Sequence, residues 1–533
     1  MRASTDGLPI ERDLSFRFDP TSRNALQPGN AAISRSETTP LEAASTPWWS
    51  ELSRAHWWVL IVAVLGWLFD AMDQRLFILA RTPALRDLLP ASAADQLPTF
   101  TGWATGLFIA GWATGGLLFG LLGDRWGRVR TMTLTILVYS LFTGLSGLAR
   151  SWPEFAAYRF LCGMGIGGEY AVGVALVAET MPARARPFAL GLVQAFSSVG
   201  AIIGSGLSLL VGPQTTFGQT AGWRVLFWFG VIPSLLVVLI RMRVKEPARW
   251  LRARELARSV AGSSTEVSPA PGSVMRLGDL RAIFGDPTLR RRTLVGMTLG
   301  MVGQVGLWSI GLFTPELVRG SLLAQRQSVL AEVVTGDKGV NVSLTGLDLE
   351  RLAQASAATE TEAVRRGTAW KRQDDSYVGW GTLLQDVGSF FGAPLCTLVA
   401  VRRGRRQAFA LAYLMALASV WFTFGWLSRG PDVYWMLPLL GFCTCGIFGV
   451  IIVYLPELYP TRLRTTGTGF CYNIARYLTA TGPLALGKLT LLFGGLGYAM
   501  PIRPAAMSLA LVYLVGLAVV PFAEETRGQL LPE

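Results

Sequence analysis

Apolar runs long enough to cross roughly 30 Å of hydrocarbon at about 1.5 Å per residue begin near Trp57, Phe100, Thr131, Phe155, Pro187, Trp223, Thr293, Val378, Gln407, Tyr434, Gly467 and Pro504. Inside a bilayer no water can satisfy a bare backbone, so each run has to close its own hydrogen bonds as a helix. The pattern predicts an all-α membrane protein with twelve transmembrane helices, and 51% hydrophobic against 16% charged residues suits that solvent. The net charge of +13 falls in short bursts between the runs and on no continuous face, which argues against nucleic acid and for loops anchored beside lipid.

Numbering the connections alternately, the even ones collect arginines: Arg125, Arg128 and Arg130; Arg184 and Arg186; Arg402, Arg403, Arg405 and Arg406; Arg462 and Arg464. The short odd ones hold only Arg81, Arg86, Arg150 and Arg429. By the positive-inside rule both termini are expected in the cytoplasm. The chain then divides into a disordered cytoplasmic tail (1–56), a six-helix half (57–240), an Arg-rich cytoplasmic linker (241–292), a second six-helix half (293–524) and a short cytoplasmic tail (525–533). Within the second half, residues 319–377 form an external insertion between spans seven and eight. Patches such as Leu347–Ala355 read either as short amphipathic helices capping the outer mouth or as a disordered insertion. All five cysteines lie in apolar runs, and no metal-ligand spacing is present.

An internal repeat ties the halves together. Glu179-Thr-Met-Pro182-Ala-Arg184-Ala-Arg186 follows the fourth run and Glu457-Leu-Tyr-Pro460-Thr-Arg462-Leu-Arg464 follows the tenth, 278 positions on. Gly127-Arg128 and Gly404-Arg405 are 277 positions apart. Two loop motifs at one spacing indicate a parallel duplication, which puts a substrate site between the halves near the midplane.

The loop Gly120-Leu-Leu-Gly-Asp124-Arg125-Trp-Gly127-Arg128-Val-Arg130 resembles the signature of the major facilitator superfamily. Arg159-Phe-Leu-Cys-Gly163-Met-Gly165-Ile-Gly167, Trp223-Arg224, Glu246-Pro-Ala-Arg249-Trp-Leu and Pro521-Phe-Ala-Glu-Glu525-Thr-Arg-Gly are similar to marks of its sugar-porter-like branch, nearest to lactate, sialate and aromatic-acid proton symporters. The resemblance implies a multi-pass protein of the plasma (inner) membrane, acting as a monomer on a small-molecule substrate and a proton, with no cofactor and no enzymatic step. Read physically, Asp124 at one helix end beside Arg125, Arg128 and Arg130 makes a latch of charge-assisted contacts that has to break when the halves rock. Gly120, Gly127, Glu179, Arg186, Glu457 and Arg464 belong to the same latch. Val401 stands where the second copy needs its aspartate, so that copy is expected to latch weakly.

Ionisable residues at membrane depth default to function. Asp70 and Asp73 share a helix face in a stretch resembling the organic-acid symporter element. In the branch it resembles, the aspartate matching Asp73 pairs with the arginine matching Arg159, and opening such a pair couples conformation to proton uptake. Glu169 lies too deep to snorkel and reads as a second proton carrier or a substrate ligand. Asp386 is a similar, weaker candidate. Arg476, several turns from either helix end, suits a substrate carboxylate through two parallel hydrogen bonds. Asn473, Gln194, Gln304, Trp308 and Gln385 complete the expected cavity.

Two nucleotide-like patterns fail on context. Gly163-Met-Gly165-Ile-Gly-Gly168 lies inside an apolar run with no preceding strand, and Gly482-Pro-Leu-Ala-Leu-Gly487-Lys488 lacks the Ser or Thr that a phosphate loop needs. The leading reading is proton-coupled symport of a small organic anion by alternating access. A neutral sugar or polyol symporter, and a nutrient sensor that binds without transporting, stay open.

Overall fold

The computed structural model of the chain describes residues 47–90, 92–93, 97–212, 216–262, 277–310, 313–338, 353–354, 359–479 and 482–532. The first helices are α1 (Arg54–Leu88), α2 (Leu97–Trp126), α3 (Arg128–Ser146), α4 (Trp152–Thr180), α5 (Arg186–Val211), α6 (Gly222–Phe229) and α7 (Ser234–Arg243). Then come α8 (Ala248–Gly262), α9 (Leu280–Gly285), α10 (Pro287–Val305), α11 (Thr314–Lys338) and α12 (Glu360–Arg403). The last are α13 (Arg405–Trp426), α14 (Val433–Glu457), α15 (Arg464–Thr479), α16 (Gly482–Gly495), α17 (Ile502–Leu509) and α18 (Val512–Val519). The strands, Thr216–Phe217 and Thr220–Ala221, form a two-residue antiparallel ribbon.

Helix starts follow local chemistry. Asp286 accepts from the amides of Thr288 and Leu289 ahead of α10, and Pro287 fills a position where no amide is needed. Ser53 and His56 cap α1 reciprocally.

Among the described residues, nine helical stretches are long and apolar enough to cross a membrane; eight begin within a few residues of an expected run, while Arg365–Arg403 starts well before the run expected near Val378. The other three runs are built from shorter pieces. The sixth breaks at 230–233 into α6 and α7, where Pro233 has no amide to continue the ladder. The seventh, α10, passes into a wider turn at Gly306–Ile310, and the eleventh is described as α15 and α16, with 480–481 between them outside the described residues. The Gly482–Lys488 segment lies in α16, a helix and not a phosphate loop.

The 44 residues of α12 span about 66 Å, roughly twice the hydrocarbon thickness. Its first turns therefore extend past the apolar zone alongside α11, clamped by Arg326 on Asp374 at 2.6 Å, with the Arg326 guanidinium 5.2 Å from the Trp370 ring centre. The described ends of the insertion are thus continuations of two long helices. Most of Leu347–Ala355, the tail before residue 47 and the linker's 263–276 lie outside the described residues.

Neighbouring helices pack as α2 with α4, α1 with α5 and α3 with α4, and later as α12 with α14, α13 with α14 and α10 with α15. The largest contacts between early and late helices are α2 with α15 and α5 with α12. The repeat spacing maps one of these contacts onto the other. Outward-facing Leu141, Trp103, Trp421, Trp426, Leu491 and Leu514 leave an apolar exterior suited to lipid.

Candidate functional site

The loops that share the repeat share their bonds. Gly127 (φ +119°) and Gly404 (φ +103°) both turn the chain through a region that other residues rarely enter. One residue on, Arg128 donates from Nε and Nη2 to the two oxygens of Glu179 at 3.0 and 2.9 Å. Arg405 does the same to Glu457 at 3.1 and 2.8 Å. Glu246 accepts from the Arg128 amide and Glu525 from the Arg405 amide, at 2.8 and 2.9 Å.

Only the first copy reaches across to the later helices through an aspartate. Asp124 takes the amides of Thr465 and Thr466 at the start of α15, at 3.3 and 2.8 Å, and the Thr466 hydroxyl at 2.6 Å. Arg128 lies 2.9 Å from Asp124, and Arg464 donates to Glu179 at 2.9 Å. The Gly120 carbonyl faces the Thr466 hydroxyl at 3.4 Å, and Arg125 reaches the carbonyls of Leu277 and Gly278. Arg186, the repeat counterpart of Arg464, makes no side-chain hydrogen bond or ion pair among the described residues, although Glu457 is its neighbour.

Above this network α2 and α4 touch closely. A Cβ on Gly167 would stand 1.9 Å from the Trp112 carbonyl oxygen, so the glycine run is a packing surface that brings Glu169 and Tyr170 into the centre.

Asp73 and Arg159 meet at 3.4 Å, fully buried. Asp73 also accepts from the Thr143 hydroxyl at 2.7 Å and the Cys162 thiol at 3.3 Å. Arg159 donates to the Ser146 hydroxyl at 2.9 Å, with its guanidinium 4.8 Å from the Phe227 ring centre. Asp73 is therefore well supplied with donors.

Asp70, one turn earlier, is buried with neither carboxylate oxygen hydrogen-bonded, and the same holds for Glu169. The two carboxylates are electrostatic neighbours. Glu169 lies over Gly66, where a Cβ would fall 1.8 Å from its Oε1, and Gly66 shares a face of α1 with Asp70. Beside Glu169 a cavity of about 10 Å³, bordered by Ala63, Trp67, Met132 and Tyr170, has room for a single water.

Arg476 is 4% exposed, and no carboxylate lies within ion-pair distance of it among the described residues. Its Nε has no hydrogen-bond partner. The guanidinium lies 3.4 Å from the ring centre of Trp112, 4.8 Å from that of Tyr472 and 5.9 Å from that of Trp308. Tyr472 stacks on Tyr170 at 3.7 Å, and Tyr170 touches Trp67 at 4.9 Å. Rings from α2, α15 and the turn after α10 thus lie against one cation, with Tyr170 of α4 and Trp67 of α1 behind Tyr472.

Gln304 donates to the Tyr472 carbonyl at 2.7 Å and Asn473 to the Gly469 carbonyl at 2.9 Å. Each leaves its buried amide oxygen free, as Trp112 leaves its Nε1. Gln194 and Gln385 are buried and bonded to Ser197 and Thr314. Asp386 pairs with Arg75 at 2.6 Å.

The structure therefore brings Arg476, Trp308, Asn473 and Gln304 together. Trp67, Trp112, Tyr170 and Tyr472 escaped the sequence reading, because aromatic residues in apolar runs look like ordinary packing. The spacing of Tyr472 from Arg476, four residues and hence one helix face, was a usable signal.

A family model described as Major Facilitator Superfamily matches residues 64–322. The niacin transporter NiaP of Acinetobacter baylyi is 27% identical, covering 90% of this chain and 96% of its own. The cis,cis-muconate transport protein of the same organism is 26% identical, covering 82% and 88%. The solved proton:xylose symporter XylE of E. coli has a similar fold, with a TM-score of 0.57 at 18% identity over 89% of this chain and 97% of that one. Residues 64–322 take in the first loop copy, the aspartates of α1, the glycine run and α10, while the full-length relatives extend the likeness over the second copy. Over residues 64–322 the chain is similar to the Major Facilitator Superfamily, and with the relatives it matches over most of their length it is a multi-pass transporter of the plasma membrane and not an enzyme.

Proposed function

We infer that the chain is a secondary active transporter that couples a proton to the movement of a small organic anion by alternating access. Its twelve spans are read as two six-helix halves with both termini cytoplasmic, α6 with α7, α10 with its following turn, and α15 with α16 supplying the three composite spans.

The observation that carries the substrate reading is Arg476, a buried guanidinium with aromatic walls and no acidic partner among the described residues. Burying such a charge is costly unless something neutralises it. A carboxylate fits, since it accepts two parallel hydrogen bonds and lays a flat body against the rings. Niacin and muconate, named for the two relatives, are both carboxylates.

Asp70 and Glu169 supply the proton side. Two buried carboxylates in mutual reach, with no hydrogen bond to spare for either, repel unless a proton resides between them. A proton entering with an anion cancels the charge carried across. Asp73 and Arg159, with many bonds, are assigned to holding α1 against α4 as the halves move.

The test is uptake into proteoliposomes. Carboxylates such as niacin are expected to accumulate under an inward proton gradient, and Arg476→Lys to weaken their binding about ten- to a hundredfold, since an ammonium cannot reproduce the planar fork. A well-folded Arg476→Gln protein with unchanged carboxylate affinity overturns the anion reading.

A further inference from the structure

The early and late helices are tied together at two levels. One is the Asp124, Arg128, Glu179 and Arg464 network. The other is a separate contact, in which Arg75 Nη2 on α1 donates to Asp386 Oδ2 on α12 at 2.6 Å.

Helix geometry fixes how far apart the levels are. α1 and α2 run in opposite directions, so the start of α1 shares a level with Asp124 near the end of α2. Arg75 lies 21 residues along α1, roughly 30 Å from that level. Asp386 precedes the end of α12 by 17 residues, roughly 26 Å. Arg75 is also five residues beyond Asp70, or about 7.5 Å further along the same helix. The pair therefore sits on the far side of the Asp70 and Arg476 region from the loop network.

Its surroundings differ from those of the loops. The two side chains are 20% and 19% exposed, whereas Arg128, Glu179 and Arg464 are wholly buried. A partly hydrated single-bonded pair opens far more cheaply than a buried network that leaves charges stranded. Gly204 of α5 lies against the stem of Arg75, where a Cβ would come within 2.9 Å. The contact thus gathers α1, α5 and α12 at one point.

We propose that Arg75 and Asp386 form a gate on the outer side of the transport site, closed when the site is occluded and broken whenever it opens outward. This rests on the alternating-access reading. In the structure the gate and the loop network are both made, so the site is shut off at both ends. Asp386 is thereby a gating residue and not a proton carrier or substrate ligand.

Cys445 on α14 is buried beside Asp386 and serves as a native reporter. The experiment follows alkylation of Cys445 by N-ethylmaleimide in purified full-length protein, quantified by peptide mass spectrometry. Asp386→Asn and Arg75→Gln are each expected to raise the rate several-fold, and the charge-reversed double variant Arg75→Asp with Asp386→Arg to restore it. Wild-type rates in both single variants overturn the gate. So does a raised rate that the charge-reversed pair fails to lower, because that pattern reports loosened packing. Alkylation needs no substrate, so a failure of carboxylate uptake by the wild-type protein falls on the substrate reading and leaves this measurement intact.

Discussion

The two copies of the arginine loop have kept the same bonds within themselves and diverged in what they offer the other side. In each, a left-handed glycine is followed by an arginine that forks onto a glutamate and closes on a carbonyl five residues back, Gly123 in one and Ala400 in the other. The first copy then reaches α15 through Asp124, which takes two amides and a hydroxyl. In the second copy both ends of that contact are gone. Val401 replaces the aspartate, and the repeat spacing sets Pro187 and Phe188 where Thr465 and Thr466 stand. Pro187 has no amide to give, and Phe188 is stacked against Trp48 at 5.6 Å. What Glu457 gains instead is the Thr526 hydroxyl at 2.6 Å, from the segment after the last helix. The bonds within each copy tie neighbouring early or neighbouring late helices together, and only the first copy adds an aspartate that reaches the other set.

The largest expected effect breaks the comparison at its shared element. Glu179 receives Arg128 and Arg464 with all three side chains fully buried, so Glu179→Gln leaves Arg464 without an acidic partner and Arg128 with Asp124 alone. Removing one partner of a buried pair costs about 3 to 5 kcal/mol, and the melting temperature is expected to fall accordingly. Glu457→Gln strands only Arg405, which is slightly exposed, and is expected to cost markedly less. Equal losses in the two variants contradict the asymmetry.

Next is the cross-contact itself. Asp124→Asn keeps the shape but turns an amide toward backbone donors, and losing a charged hydrogen bond costs about 1.5 to 3 kcal/mol. Because the cost is felt only when the loop side is closed, the exchange rate in proteoliposomes is expected to fall while substrate affinity holds. Val401→Asp is the sharpening control. With Pro187 opposite, it finds at most one amide and leaves the exchange rate as it was. A slowed Val401→Asp protein argues that the second copy latches after all. Thr526→Ala, removing one hydroxyl from Glu457, is expected to cost about 1 kcal/mol in thermal stability and nothing in substrate affinity.

These differences show what the sequence could and could not carry. The apolar runs located the helices long and apolar enough to span, since the bilayer demands a continuous run of about 20 residues, but not the 25-residue α11 at the insertion. Breaks inside runs were less visible, because Gly230 and Pro233 are compatible with a kinked span as well as with two helices. The missing aspartate at Val401 was legible, and so in principle was Pro187, had the repeat been carried into the opposite helix. The pairing of Asp124 with the start of α15 was not, since contacts between residues more than 300 apart depend on how halves dock. Arg476 stood out as a charge at depth, but its aromatic walls did not, because separate elements contribute them and each ring alone reads as core.

The smallest expected effect tests the second copy from its other end. Arg464 and Arg186 are repeat counterparts, yet Arg464 donates to Glu179 at 2.9 Å, to the Thr461 hydroxyl at 3.0 Å and to the Pro532 carbonyl at 2.7 Å. Arg186 has none of these among the described residues, and its Nε is buried without a partner. A buried cation with no bonds to lose contributes little by its presence, and replacing it with a neutral group relieves a desolvation cost. Arg186→Gln is therefore expected to change stability by no more than about 0.5 kcal/mol, in either direction, and to leave exchange unaltered. Arg464→Gln, by contrast, exposes Glu179 to half its former support and is expected to melt several degrees earlier. The pair of melting curves decides the matter: if Arg186→Gln falls as far as Arg464→Gln, the guanidinium of Arg186 engages Glu457 in a conformation other than the one seen here, and the second copy latches the opposite state.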